Sequence, residues 1–277
     1  MTTFDNIALP ITATITGLNM QACAGTLVHE VPALVRAIRN KQPIFFSSVI
    51  VSFNFFILIN HFLFLPSVIA TETTCVQVNY ATTVFYHMSM LVFDAFILAK
   101  SWMTTRKNRV FLAISVLLVL YRFSWAVADF VLSTVAWNTD LNACIWNQSP
   151  LVNFHYDLAD IICDAVATLG SLSMLFVGKS VGINGILQKL VNENALRSMV
   201  ILIVNAVVMY LTQTLTDFSS LLLAWYIQDY IIILLMNAEL QYKEERNGKR
   251  SKNPNTSTNP ETSTRGNERR KSTSNHA

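Results

Sequence analysis

Ionisable residues interrupt long apolar runs of this chain at Asp94, Arg122, Asp129, Asp157, Asp160, Asp164 and Asp229, with His87 and Trp225 on the same polar faces. Ionisable groups at membrane depth are costly, face a protein interior and mark functional sites by default. A lone buried charge costs far more than a paired one. Arg122 and Asp164, both near mid-depth on adjacent segments, are therefore the expected ion pair. Asp129, Asp157 and Asp160 then stand in the outer half with no basic partner, and with His87, Asp164, Trp225 and Asp229 they are the candidate ligand-binding residues. A negative vestibule of this kind attracts cations, and an amine-bearing small molecule is the ligand class it suits. The bland reading, that these groups form a hydrogen-bonded network holding helices together, stays open beside it. Catalysis is not expected. His29, His61, His87 and His155 fall at unlike depths on four segments, there is no HExxH, and Tyr156-Asp157 is not followed by GxGD. No metal and no cofactor follow from such a set.

The elements that must position these residues are membrane helices. Of 277 residues, 52% are hydrophobic and only 13% charged, about half the charge of a typical soluble domain. A bilayer core takes roughly 20 apolar residues of helix. Seven stretches fit, near 11–34, 44–66, 76–99, 110–136, 154–177, 197–215 and 218–238. Polar residues recur at helical spacing within them: Thr12, Asn19, Thr26 and Glu30 in the first, Tyr80, Thr83, His87 and Asp94 in the third. The fifth carries the longest stripe, Asp157, Asp160, Asp164, Thr168 and Ser171. The expected fold class is all-α, an integral membrane seven-helix bundle spanning residues 1–242.

Orientation follows from Lys and Arg. Arg36, Arg39 and Lys41 lie between the first two spans, Lys100, Arg106, Lys107 and Arg109 between the third and fourth, and Lys179, Lys189 and Arg197 between the fifth and sixth. With the nine of residues 243–277, all but Arg122 of the 20 basic residues fall on one side. The N-terminus is expected outside and the C-terminus in the cytosol, in the plasma membrane. No basic segment precedes the first span, so a cleaved signal peptide is not expected. Residues 243–277, rich in Ser, Thr, Asn, Lys and Arg, are expected to be a disordered cytosolic tail. In it, Ser272 after Arg269-Arg270-Lys271 has the form of a kinase site. The basic excess is a tail property and does not imply nucleic-acid binding.

Cys23 and Cys163 fall inside spans, whereas Cys75 and Cys144 fall on the outer side, where a disulfide can form and persist. Paired, they would pin the loop between spans four and five over the top of helix three; two unrelated thiols are the alternative. Asn147-Gln-Ser149 is an outward glycosylation sequon, with Pro150 behind it.

Seven spans, an outer N-terminus, a cysteine at the outer end of helix three and one in the next outer loop resemble a G-protein-coupled receptor. The likeness covers about residues 8–245 as topology. The inner end of helix three reads FDAFILAKSW in place of DRY, helix six lacks the proline of CWxP, and helix seven ends IIILLMNAEL without NPxxY. Helix seven has no lysine for a retinal Schiff base. The resemblance implies a divergent receptor-like signalling protein that senses a small-molecule ligand in an outer polar cavity. Its basic cytosolic loops would face a heterotrimeric G protein or another cytosolic partner. The other readings are a transporter or cation-conducting protein using the Asp-lined interior, and a non-signalling membrane scaffold.

Overall fold

The computed structural model describes residues 5–68, 71–138, 143–181, 185–215 and 218–252. Seven helices follow one another: α1 (Asp5–Arg39), α2 (Phe45–Val68), α3 (Glu72–Thr104), α4 (Arg109–Leu132), α5 (Pro150–Val181), α6 (Gly185–Thr214) and α7 (Phe218–Lys252). Between α4 and α5 stand two short strands, β1 (Thr134–Asn138) and β2 (Ala143–Asn147). The chain divides into two units, Met1–Asn237 and Ala238–Ala277. In the second, α7 continues as helix to Lys252, past the boundary at residue 242 that composition suggests; Ser272 lies outside the described residues.

In the first unit α3 is the central helix. It packs against α2, α4, α5 and α6 and meets both strands. The joints that set this arrangement are short and specific. At one end of α3 the Thr71 backbone N–H donates to the Thr74 hydroxyl at 3.2 Å, while at the other Trp102 Nε1 donates to the Asn108 carbonyl at 3.1 Å. Asn108 caps α4 by accepting the Val110 N–H on its Oδ1 at 2.8 Å, which satisfies one of the orphan donors of a helix start. Lys41, Arg106 and Lys107 take left-handed backbone conformations, with φ of 53°, 55° and 59°, and close the two short turns that fold α2 back on α1 and α4 back on α3. Glycine is required at Gly170 of α5, where a Cβ would stand 2.6 Å from both the Phe111 ring and Ser101 Oγ. There α5 crosses α3 closely enough for Ser101 Oγ to donate to the Ala167 carbonyl at 2.8 Å.

The distribution of side chains is that of a membrane protein. Among the described residues of α4, those buried are Ser115, Arg122, Ala126 and Asp129, while Leu117, Leu120, Phe123, Val127 and Val131 are exposed. Water would reverse this order; hydrocarbon favours it. Among the described residues, five helical segments are long and apolar enough to cross a membrane: Phe45–Phe64, Glu72–Thr104, Arg109–Leu132, Ala195–Thr214 and Ser220–Leu240. Helices α1 and α5 also bury polar side chains. The three aspartates of α5 raise its charge, and α1 carries Thr12, Asn19 and Glu30 buried. Several α1 hydroxyls are satisfied within the helix itself, with Thr16 and Thr26 donating to the Thr12 and Ala22 carbonyls one turn back.

The hairpin corrects the expected fourth span, which ran to residue 136. Helix α4 ends at Leu132, and the apolar run VLSTVAW passes into β1. A short apolar run has the same composition as helix or strand, and its β-branched residues favour the strand. β1 pairs antiparallel with β2 in a register that sets Thr134 opposite Asn147 and Trp137 opposite Cys144. Trp146 meets the Tyr80 ring edge-on at 5.3 Å and Phe130 at 6.4 Å, so an aromatic cluster of α3, α4 and β2 seats the hairpin. The Cys75–Cys144 disulfide bonds β2 to the first turn of α3, and Asn79 Nδ2 donates to the Cys144 sulfur at 2.8 Å.

Candidate functional site

Arg122 is fully buried and is the hub of the bundle's polar interior. Its Nε lies 2.8 Å from Asp160 Oδ1 of α5 and 3.4 Å from Asp94 Oδ2 of α3. One terminal nitrogen donates to Asp160 Oδ2 at 3.0 Å, the other to the Tyr156 carbonyl at 3.1 Å. The guanidinium also lies 3.0 Å from the centroid of the Tyr156 ring, a stacked cation–π contact that suits a planar delocalised cation. Three helices are thereby tied to one side chain. Two carboxyl groups therefore share one guanidinium in a low-dielectric interior, where an unbalanced charge is costly.

This geometry overturns the expected Arg122–Asp164 pair. Asp164 sits one turn farther along α5, and its Oδ2 accepts from Asn205 Nδ2 of α6 at 2.6 Å. Asn205 Oδ1 in turn accepts from Gln228 Nε2 of α7 at 2.8 Å. Asp160 and Asp164 are separated by one helical turn, about 6 Å, less than the uncertainty of counting depth from span ends. The same geometry corrects the expectation that Asp129, Asp157 and Asp160 are free to line a vestibule. Asp160 belongs to Arg122. Asp157, half-buried, accepts from the Thr212 hydroxyl of α6 at 3.0 Å. Asp129 is buried and lies 3.0 Å from His87 Nε2.

The His87 contacts form a chain. With its proton on Nε2 donating to Asp129, His87 Nδ1 accepts from the Tyr156 hydroxyl at 2.8 Å. Asp129 Oδ1 accepts from the Ser133 hydroxyl, and Ser133 Oγ accepts from the Ser149 backbone N–H at 3.1 Å. Hydrogen bonds therefore run from the foot of the hairpin through Asp129 and His87 to the Tyr156 hydroxyl, and the backbone carbonyl of the same tyrosine bonds Arg122. The link to Arg122 passes through the body of Tyr156, so it couples the two positions mechanically and is no path for a proton.

Of the remaining expected residues, Asp229 is buried on α7 with its Oδ2 3.8 Å from His61 Nε2. Trp225 is half-buried on the same helix. Asn147 is exposed at the end of β2. No three His, Cys, Asp or Glu side chains among the described residues come together as a metal-ligand set. Asp94 and Asn205 stand on polar faces legible in the sequence, which assigns them no partners, whereas Tyr156, Gln228 and His61 are not singled out there as members of these clusters. Tyr156 was findable, since it lies one turn before Asp160 on the same face of α5. The partners on α6 and α7 carry no spacing signal that ties them to Asp164.

No protein-family model matches the chain, and no curated protein is significantly similar to it.

Proposed function

We propose that this chain is a receptor-like seven-span signalling protein of the plasma membrane. In this reading the N-terminus is outside, the C-terminus cytosolic, and the hairpin end of the bundle receives a small cationic ligand. The observation that carries it is the hairpin bonded through Cys144 to Cys75 at the start of α3. Its foot connects by hydrogen bonds through His87 and Tyr156 to the buried Arg122. A ligand bound at that end shifts a lid anchored to the central helix, and the shift reaches a centre that joins α3, α4 and α5. At the opposite end Arg39, Lys41, Arg106 and Lys107 offer a basic face to a heterotrimeric G protein or another acidic cytosolic partner.

The second reading is a transporter or cation-conducting protein. The observation in its favour is Asp164, fully buried with Oδ1 unbonded. Against it, Asp157, Asp160 and Asp164 each hold a side-chain partner, which leaves no run of free carboxylates along α5. One reconstituted preparation tests both: guanine-nucleotide exchange on added G proteins, and ion flux into the same vesicles. The receptor reading expects ligand-dependent exchange without flux, and flux without exchange reverses the choice.

A further inference from the structure

Away from Arg122, the described residues hold a second group of buried polar atoms that the protein leaves unbonded. On α1, Asn19 is fully buried; its Nδ2 donates to the Tyr226 carbonyl of α7 at 3.3 Å, while Oδ1 has no donor. On α2, His61 is fully buried and neither ring nitrogen makes a hydrogen bond. Its Nε2 stands 3.8 Å from Asp229 Oδ2, beyond hydrogen-bond reach. On α7, Asp229 leaves Oδ1 without a donor at 4% exposure. Tyr226, whose carbonyl holds Asn19, is one turn before Asp229, so side chains of three helices converge on a single turn of α7. The Tyr226 ring packs on His61 at 5.2 Å.

Buried polar atoms are normally bonded, and each exception requires an explanation. The inventory here is specific. Asp229 Oδ1 and Asn19 Oδ1 are acceptors, and a neutral imidazole supplies one more. A carboxyl oxygen, an amide oxygen and an imidazole nitrogen are thus gathered about the Tyr226–Asp229 turn, with the Tyr226 ring packed on His61. That set complements a primary ammonium group, which brings three N–H donors and one positive charge and is attracted to an aromatic ring. Water brings two donors and no charge. A hard metal cation such as calcium takes about six to eight oxygen ligands, and only two unbonded oxygens are offered.

We propose that Asn19, His61 and Asp229 form a binding site for the ammonium group of a primary-amine ligand. This inference rests on the ligand-binding half of the function proposed above and not on coupling to a G protein. The ligand is held through N–H donation to α1, α2 and α7, so it draws together three helices that the Arg122 centre does not join.

The test is thermal unfolding of the full chain in detergent with methylammonium, tetramethylammonium or sodium chloride at equal ionic strength. Methylammonium is expected to raise the midpoint by roughly 5–10 °C at a hundredfold excess over its Kd. Tetramethylammonium, which has no N–H, and sodium are expected to leave it unchanged. Asp229→Asn, Asn19→Leu and His61→Phe should each lose most of the shift, and the last two carry the test if Asp229→Asn fails to fold. No shift with methylammonium overturns the proposal. So does an equal shift from either control salt, or a full shift retained in both Asn19→Leu and His61→Phe. Nucleotide exchange reads out separately: a methylammonium shift without exchange keeps the site and removes the signalling reading, whereas exchange without a shift removes the site alone.

Discussion

Because two carboxylates share one guanidinium at Arg122, the three substitutions that would break the centre are not equivalent. Arg122→Met leaves Asp94 and Asp160 facing each other with no cation, whereas Asp160→Asn or Asp94→Asn leaves one carboxylate still opposite the arginine. Removing one partner of a buried pair costs roughly 3–5 kcal/mol in general, and polar contacts within membranes measure smaller, about 0.6 kcal/mol on average. Arg122→Met is therefore expected to lower folded yield more than either single Asp→Asn, and Asp94→Asn with Asp160→Asn to lower it more than their sum. Size-exclusion yield and melting midpoint read this out. If Asp164→Leu rescues Arg122→Met better than Asp160→Leu does, the assignment of partners is wrong. That Arg122 must pair was legible in the sequence, because an arginine in an apolar run has no other way to be buried. Which aspartate it takes was not, since Asp160 and Asp164 are on one face of α5 and differ by a single turn. The spacing of His61 offers no metal-ligand set, and its unbonded imidazole beside Asp229 is visible only in the fold.

Elements meet where small or covalent features fix their distance. The Cys75–Cys144 bond holds β2 to α3, so Cys75→Ser and Cys144→Ser should each destabilise by a similar amount, about 2–4 kcal/mol. Because both remove the same bond, the double substitution should cost little more than either, in melting experiments with and without reductant. Finding both thiols free by peptide mapping of surface-expressed protein ends this account. Gly170 fixes the approach of α5 to α3 and α4. A methyl group there meets Phe111 and Ser101 at 2.6 Å, and overpacking of this kind costs about 1–3 kcal/mol. Gly170→Ala should lower the melting midpoint, and Gly170→Ala with Ser101→Ala should regain part of the loss by clearing one of the two contacts. The helices were legible from apolar runs of the right length, since hydrocarbon demands both. The hairpin was not, because VLSTVAW continues the apolar run of α4 and only its β-branched residues hint at a strand. The two cysteines were legible as a pair from the side of the membrane they share, without any knowledge of the strand that carries one of them.

Across the whole molecule, charge is unevenly distributed along the chain. Buried polar stripes and exposed apolar faces mark a bilayer as solvent, and this inverted pattern made the interior of each helix readable before its neighbours were known. The disulfide end of α3 carries the hairpin, and the opposite end carries the turns with Lys41, Arg106 and Lys107. If all seven helices cross, every turn rich in Lys and Arg falls on one side, with the nine basic residues of 243–277, and the hairpin falls on the other. Basic residues are retained on the cytosolic side during insertion, and oxidised cysteines persist on the outer side. In the proposed seven-span reading these two independent chemistries agree on one orientation. Taking α5 out of the bilayer would put Lys179, Lys189, Arg197 and the basic tail on the hairpin's side, against the first rule, whereas taking α1 out moves only the N-terminus, so the epitope before Met1 decides between six spans and seven. An epitope placed after Ala277 is therefore expected to be protected in intact cells and reached only after permeabilisation, while one placed before Met1 is reached in both. A C-terminal epitope that antibodies reach on intact cells removes the odd number of spans, and with it the assignment of the hairpin end as the face that meets a ligand.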